Sequence, residues 1–205
     1  MRSVPESRVI PAAVFAVLRA YLADRASFSE ADFEVVQAAL FFKSLRPGEF
    51  LQRGGEVTRF AAFVARGCLR NYVIDPKGKE HIVQFAPETW WLADSTSWNK
   101  GTPSPYFIDA IEESDLLLLD GTSHQALVDR VPGYAAAFRT GLQRHAAAKD
   151  QRIVSALSGT AEERYREFLR VYPSIALRVP QTMLASYLGM TPETVSRIRK
   201  ALSRR

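Results

Sequence analysis

Cysteine is almost absent from this chain of 205 residues, and histidine is scarce. The single cysteine, Cys68, cannot form an intrachain disulfide, and a cysteine-ligated iron–sulfur cluster would need more thiolates. Of the three histidines, only His81 falls in the region whose pattern predicts strands. These shortages argue against a disulfide scaffold and against a cluster-based redox centre.

Long apolar runs are also missing. No stretch approaches the roughly 18 uninterrupted apolar residues of a membrane-spanning helix. The segment Met1–Ala26 mixes charges with apolar residues and lacks the layout of a signal peptide. We therefore expect a soluble cytoplasmic protein with no membrane partner.

The net charge of +5 is concentrated at one end of the chain. Residues 1–149 hold 17 basic and 17 acidic residues, whereas residues 150–205 hold 10 basic and 5 acidic ones. A neutral body with a basic end indicates contact with a polyanion, although a solvated basic surface would give the same count.

The first two-thirds of the chain change from helical to strand-like patterns. Apolar spacing predicts a helix over Val9–Leu22, and Ser29 with Asp32 predicts a capping box that opens a second helix. From Lys43 to about Asp120, short apolar runs alternate with Gly and Pro turns, which is typical of an antiparallel sandwich or roll. The predicted strands are Phe60–Val64, Leu69–Ile74, His81–Phe85, Ile108–Ile111 and Leu116–Leu119, with a hairpin turn at Asp75-Pro76-Lys77-Gly78.

Helical periodicity returns after Pro132-Gly133 and continues to about Leu157. A partly polar stripe along this helix favours a dimerisation helix, the alternative being a helix packed along the β domain. Ser158-Gly159-Thr160 ends the helix, and Thr160 with Glu163 predicts another capping box. The stripe consists of Phe138, Leu142, His145, Lys149, Arg152 and Ala156, with Ala135, Ala146 and Ile153 beside it.

The sharpest motif is a helix-turn-helix between Val179 and Leu202. A first helix begins near Gln181 and buries Leu184 and Leu188 around the small Ala185, and Gly189 supplies the positive φ of the turn. Thr191 caps the second helix, Pro192 suits its first position, and Val195, Ile198 and Leu202 face inward.

The outward face of that second helix matches what reading of the DNA major groove requires. Arg197 could donate to guanine and Glu193 could accept from cytosine, whereas a helical hairpin with a solvated basic face is the plainer alternative. The predicted DNA-binding residues are Gln181, Thr191, Glu193, Thr194, Ser196, Arg197, Arg199 and Lys200.

With these residues in view, the chain resembles the Crp/Fnr family of transcription regulators. The resemblance rests on Leu188–Lys200, which is similar to the family's DNA-reading segment, and on Val64–Arg70, where Gly67 stands at a family glycine turn. It implies an α+β fold: an antiparallel, jelly-roll-like β-roll of the cyclic-nucleotide-binding type with flanking helices, a connecting dimerisation helix, and a helix-turn-helix domain. These parts would span 1–132, 133–158 and 159–205.

The resemblance also implies a homodimer on a palindromic double-stranded operator, with recognition helices about 34 Å apart, and leaves contact with RNA polymerase open. Because the sequence stops soon after the second helix, we expect no full wing, so phosphate contacts would come from Arg199, Lys200, Arg204 and Arg205. A catalytic role and a bound cofactor are not expected.

In family members that bind cyclic AMP, an arginine contacts the phosphate. The resemblance places Ser104 at that position here, so a cyclic phosphate would lack its bidentate cation. We therefore expect an effector other than cyclic AMP; a hydrophobic or aromatic small molecule is one option, although buried aromatics are more often core. The candidate effector pocket comprises Trp91, Asp94, Ser104 and Tyr106. Two alternatives stay open: a cupin-like metal-dependent enzyme using His81, and a regulator acting through protein partners.

Overall fold

The structure is a computed structural model that describes residues 7–202, apart from the side chains of Arg144 and His145. Arg204 and Arg205, expected to contact phosphates, lie outside the described residues. The helices are α1 (Ala12–Ala23), α2 (Glu30–Ala38), α3 (Ser95–Lys100), α4 (Gly121–Arg130), α5 (Pro132–Ser158), α6 (Ala161–Val171), α7 (Gln181–Leu188) and α8 (Pro192–Leu202). The strands are β1 (Phe41–Leu45), β2 (Phe50–Gln52), β3 (Phe60–Arg66), β4 (Leu69–Ile74), β5 (Glu80–Ala86), β6 (Trp91–Leu92), β7 (Phe107–Ala110) and β8 (Ser114–Asp120).

The chain divides into two compact units. The first contains the residues up to Asn71 together with Phe85–Gly141, and the second contains Tyr72–Gln84 together with the residues from Leu142 onward. The second unit therefore combines the tip of the β4–β5 hairpin with the end of α5 and with α6, α7 and α8.

Within residues 7–202, eight strands form two four-stranded sheets, in the orders β1-β8-β3-β6 and β2-β7-β4-β5. Strand β8 pairs antiparallel with both β1 and β3. Its leucines alternate between two cores, because successive side chains of a strand point to opposite faces. Leu117 and Leu119 pack with the helices, whereas Leu116 and Leu118 pack inside the roll. Burial on both faces explains the unbroken apolar run, and the predicted α+β fold with an antiparallel roll is confirmed.

Helices α1 and α2 cover the outer face of the first sheet. The Ser29 hydroxyl accepts from the Asp32 amide, and the Asp32 carboxylate accepts from the Ser29 amide at 2.8 Å, so the predicted capping box is present. Helix α1 starts at Ala12 rather than at the predicted Val9, because Pro11 takes the extended N-cap conformation. Leu18 and Leu22 are buried beside Phe63 of β3.

Two glycine turns were correctly anticipated. Gly67, between β3 and β4, has φ +89, and a Cβ there would lie 2.4 Å from the Glu113 carbonyl oxygen. Only glycine can occupy that position without displacing the backbone. Gly78 closes the β4–β5 hairpin with φ +81, and its amide donates to the Asp75 carbonyl.

Candidate nucleic-acid interface

The scaffold of the interface is a small core inside the second unit. Helix α6 begins with the predicted capping box, in which the Thr160 amide donates to the Glu163 carboxylate at 2.8 Å. Buried side chains of α6, α7, α8 and the segment between α6 and α7 form this core: Tyr165, Phe168, Tyr172, Ile175, Val179, Leu184, Ala185, Leu188 and Val195. This core fixes the direction of α8, whose N-terminal half buries Val195 and exposes Glu193 and Ser196.

The turn between α7 and α8 has the geometry expected from its sequence. Gly189 adopts the left-handed conformation, with φ 63 and ψ 42, and the amides of Gly189 and Met190 return to carbonyls of α7. Ala185 is buried where the two helices approach. A larger side chain there would push the helices apart.

Helix α8 is capped and oriented as predicted. The Thr191 hydroxyl accepts from the Thr194 amide at 3.3 Å, and Pro192 is the first helical residue. Val195 is fully buried, whereas Glu193 and Ser196 are exposed. The inward and outward faces are therefore those that the apolar spacing indicated.

Arg197 and Glu193 are presented for contact with another molecule. Arg197 is exposed and makes no hydrogen bond or ion pair within the part of the chain that the structure describes. The pKa of Glu193 lies below its usual value because the carboxylate accepts hydrogen bonds from its own amide and from the Thr191 hydroxyl. The face thus offers a guanidinium and a carboxylate, with Ser196, Lys200 and the half-buried Thr194 beside them.

Two residues of the predicted set are engaged inside the domain instead. Arg199 donates to the Tyr165 hydroxyl at 3.0 Å and to the Ala176 carbonyl at 2.8 Å. The side-chain Nε2 of Gln181 donates to the Pro192 carbonyl and so ties α7 to α8. Their contact with DNA stays a prediction, but in this structure both stabilise the scaffold.

The four residues of the candidate effector pocket do not share one environment. Trp91 packs against the helix-facing core, its ring centroid 5.3 Å from that of Phe63. Asp94 accepts from the amides of Thr96 and Ser97 and is the N-cap of α3. One side chain thus faces away from the roll interior, and the other holds a helix end.

Ser104 and Tyr106 lie in the loop before β7. Ser104 is buried, and its hydroxyl accepts from the Tyr106 amide at 3.2 Å. The Tyr106 carbonyl accepts from the side chain of Gln52. Ser104 therefore offers at this position a buried hydroxyl that is already hydrogen-bonded, and the pocket stays a prediction.

The orientation of α5 in the second unit differs from the predicted stripe. Arg152, a member of that stripe, faces the unit's own interior, where it donates to the Ile82 and Tyr187 carbonyls. The large apolar side chains that stay exposed are Leu142, Ile153, Val154 and Leu157. The exposed apolar stripe is therefore rotated around the helix relative to the predicted one. Sequence spacing alone could not show that the polar Arg152 packs inward.

The metal alternative gains no support from the geometry. His81 lies 2.8 Å from the carboxylate of Asp75 in the hairpin. This contact lowers the pKa of Asp75, with a further contribution from the Lys79 amide. Among the described residues, no group of three or more His, Cys, Asp or Glu side chains could hold a metal ion. No described helix is long and apolar enough to cross a membrane.

Comparisons with known proteins agree with this architecture. Residues 151–205 match the family model of the Crp-like helix-turn-helix domain. None of the curated proteins matches the chain by sequence.

Solved structures resemble the chain over most of its length. FixK2 from Bradyrhizobium japonicum is 21% identical, with a TM-score of 0.69 over 80% of this chain and 85% of that one. The catabolite activator protein of Thermus thermophilus is 20% identical, with a TM-score of 0.54 over 87% and 85%. The c-di-GMP-responsive regulator CLP of Xanthomonas campestris is 12% identical, with a TM-score of 0.68 over 86% and 92%.

The two units and the matches define a class: a β-roll followed by a helix-turn-helix domain, the fold of Crp/Fnr-type regulators. The resemblance found in the sequence is confirmed at this level. The chain has the Crp/Fnr-type regulator fold, and its C-terminal domain is a Crp-like helix-turn-helix.

Proposed function

We propose that this protein is a homodimeric, sequence-specific DNA-binding transcription regulator, and not an enzyme, that acts in the cytoplasm. The observation that carries the proposal is the exposed N-terminal half of α8, on which Glu193, Ser196 and Arg197 face outward from a fixed core. Burial of Glu193 and Arg197 would have contradicted it.

The chemistry of that face suits the edges of base pairs. The major groove admits one helix, and a guanidinium can donate twice to guanine while a carboxylate accepts from cytosine. Glu193 is exposed and ionised at neutral pH, so its carboxylate is an acceptor there. Lys200, one turn beyond Ser196, would contact phosphate and add affinity without base preference.

The homodimer would form through α5. Leu157 is 84% exposed and Leu142 and Ile153 are more than half exposed, which is unusual for large apolar residues on one helix face. Their spacing of 11 and 4 residues keeps them on one side of a helix. Two copies paired along this stripe would place two α8 helices on half-sites about one DNA turn apart.

We further infer that the first unit responds to an effector other than cyclic AMP. The buried Ser104 offers a hydroxyl already bonded to Tyr106, where cyclic-AMP binding would need a cation. The candidate pocket of Trp91, Asp94, Ser104 and Tyr106 stays a prediction, as does contact with RNA polymerase. Titration calorimetry with cyclic AMP should show no binding in the micromolar range.

Selection of bound sequences from random duplex DNA tests the main proposal. We expect a palindrome with half-sites 10–11 base pairs apart, bound with a strong dependence on salt concentration. The Arg197→Ala variant should enrich a sequence relaxed at one position of each half-site, and Arg166→Ala is its matched control. A folded dimer that selects nothing and shows no salt-dependent DNA affinity would refute DNA binding and favour action through protein partners.

A further inference from the structure

The second unit contains a cavity of about 460 Å³ that the proposed function does not use. Its walls come from β5, from residues 148–156 of α5, and from α6 and α7. The lining is mostly apolar, with Val83, Ile153, Phe168, Val171 and Leu188 contributing side chains. This volume lies within the range of small-molecule sites, which combine apolar walls with a few polar groups.

The first polar group is a half-buried arginine without a carboxylate partner. Arg152 donates to the carbonyls of Ile82, Val83 and Tyr187, and its guanidinium lies 4.0 Å from the centre of the Tyr187 ring. It forms no ion pair with any described residue. Desolvation lowers its pKa, which means that the positive charge is poorly compensated there.

A second arginine has an unused donor. Arg164 donates one Nη to the Leu188 carbonyl at 2.7 Å, but its Nε is buried and has no hydrogen-bond partner. A buried donor left unpaired is costly, so the side chain of Arg164 is incompletely satisfied within the domain. Lys149 adds a third cation to the lining.

The acidic side of the cavity does not balance these cations. Glu167 is the only acid among the described lining residues, and both of its carboxylate oxygens accept from Arg170, at 2.6 and 2.9 Å. Three cations thus face an apolar space with one carboxylate that is already paired. The cavity therefore lacks a negative charge that would balance its cations.

We propose that this cavity binds a small organic acid, with its carboxylate on Arg152 and Arg164 and its apolar body against Val83, Phe168 and Val171. A carboxylate accepts charge-assisted hydrogen bonds from guanidinium groups, and its negative charge would offset the positive charge of the two arginines. The hydrocarbon body would displace water from the apolar walls, which is favourable in proportion to the area covered.

Binding at this place would bear on the helix-turn-helix. The cavity includes Ser186 and Gly189 at the end of α7, and the Ser186 hydroxyl donates to the Glu80 carbonyl and accepts from the Ile82 amide. A bound acid would hold the hairpin, α5 and α7 together. This consequence rests on the proposed DNA binding, whereas binding of the acid itself does not.

The test compares acids with their neutral amides. Octanoate and 3-phenylpropanoate, and the matching octanamide and 3-phenylpropanamide, are titrated into the full-length protein by calorimetry, with thermal melting in parallel. We expect at least one acid to bind more tightly than its amide by about tenfold or more, because only the acid carries the charge. Failure of both acids to bind at millimolar concentration, or equal binding of acid and amide, overturns the proposal.

Variants then locate the site. Arg164→Gln should weaken acid binding by about tenfold without changing amide binding, and Arg166→Gln, on the same helix outside the cavity, should change neither.

Because loss of Arg152 could disturb the hairpin, Val171→Trp is the second variant: it fills the cavity, leaves the cations in place and should abolish binding of acid and amide. Unchanged acid binding in Val171→Trp, or equal losses in Arg164→Gln and Arg166→Gln, would place the site elsewhere. Acid binding is measured without DNA, so its failure is distinct from a failure of DNA binding. DNA affinity measured with and without the acid then tests the effect on the helix-turn-helix separately.

Discussion

Replacement of Arg197 by alanine should weaken specific DNA binding without weakening the fold. Arg197 is exposed and has no partner among the described residues, so its loss should change the free energy of unfolding by no more than about 0.5 kcal/mol. A bidentate contact with guanine contributes about 1–3 kcal/mol of discrimination. A symmetric dimer would lose that amount at each half-site.

Two half-sites therefore give a loss of about 2–6 kcal/mol, which corresponds to a decrease in affinity of at least about 30-fold. The assay is fluorescence anisotropy with the selected palindrome and with a scrambled duplex, at several salt concentrations. Binding to the scrambled duplex should fall far less, because phosphate contacts carry that affinity. Arg197→Lys should keep the non-specific binding and lose the specific part, since lysine lacks the planar fork.

The matched control is Arg166→Ala, which removes the same charge from α6, where Arg166 pairs with Glu162. If this control weakens specific binding as much as Arg197→Ala does, the effect is general electrostatics and not base reading. If Arg197→Ala changes neither affinity nor base preference, the assignment of the α8 face is wrong.

Three further predictions concern the scaffold. Leu157→Glu should shift a dimer to monomers in analytical ultracentrifugation, whereas Leu177→Glu, at a residue 94% exposed outside α5, should not; equal dissociation in both would argue against the α5 stripe. Gly67→Ala should lower the free energy of unfolding by about 2–4 kcal/mol in urea, against about 1 kcal/mol for Gly78→Ala, which has similar φ but open space around it. Burial lowers the pKa of His124, so the unfolded chain binds more protons near its ordinary pKa, and stability should fall as the pH drops below about 6.5. The melting temperature of His124→Gln should therefore change less with pH than that of the wild type. An equally steep fall in both between about pH 7.5 and 5.5 would contradict this.

Local signals in the sequence were sufficient wherever a structure is determined by neighbouring residues. The capping boxes at Ser29 and Thr160 need only a hydroxyl and a carboxylate three residues apart. The turn at Gly189 needs a residue that tolerates positive φ. These features, and with them the helix-turn-helix, were predictable from short segments.

Features that depend on distant partners were not predictable in the same way. Strands β2 and β6 are only three and two residues long. Strand β1 pairs with β8, whose partner residues lie 69 to 77 positions away, from Leu45–Ser114 (114 − 45) to Phe41–Leu118 (118 − 41). Trp91 was assigned to a pocket, but the strand alternation directs its neighbour Leu92 to the roll interior and Trp91 to the helices. A shift of one residue in a strand reverses every side chain, and composition does not reveal that shift.

The arginines of the C-terminal region show why charge alone misjudges a DNA-binding surface. Residues 150–205 contain 10 basic residues, but Arg152, Arg164 and Arg199 donate to carbonyl groups of the domain, and Arg166 and Arg170 pair with glutamates. At least half of the basic residues are therefore occupied in holding the scaffold together. Arg197 and Arg199 are separated by about 200° around α8, because each residue advances a helix by about 100°. One arginine can thus read DNA while the other, two residues later, fixes the helix that presents it.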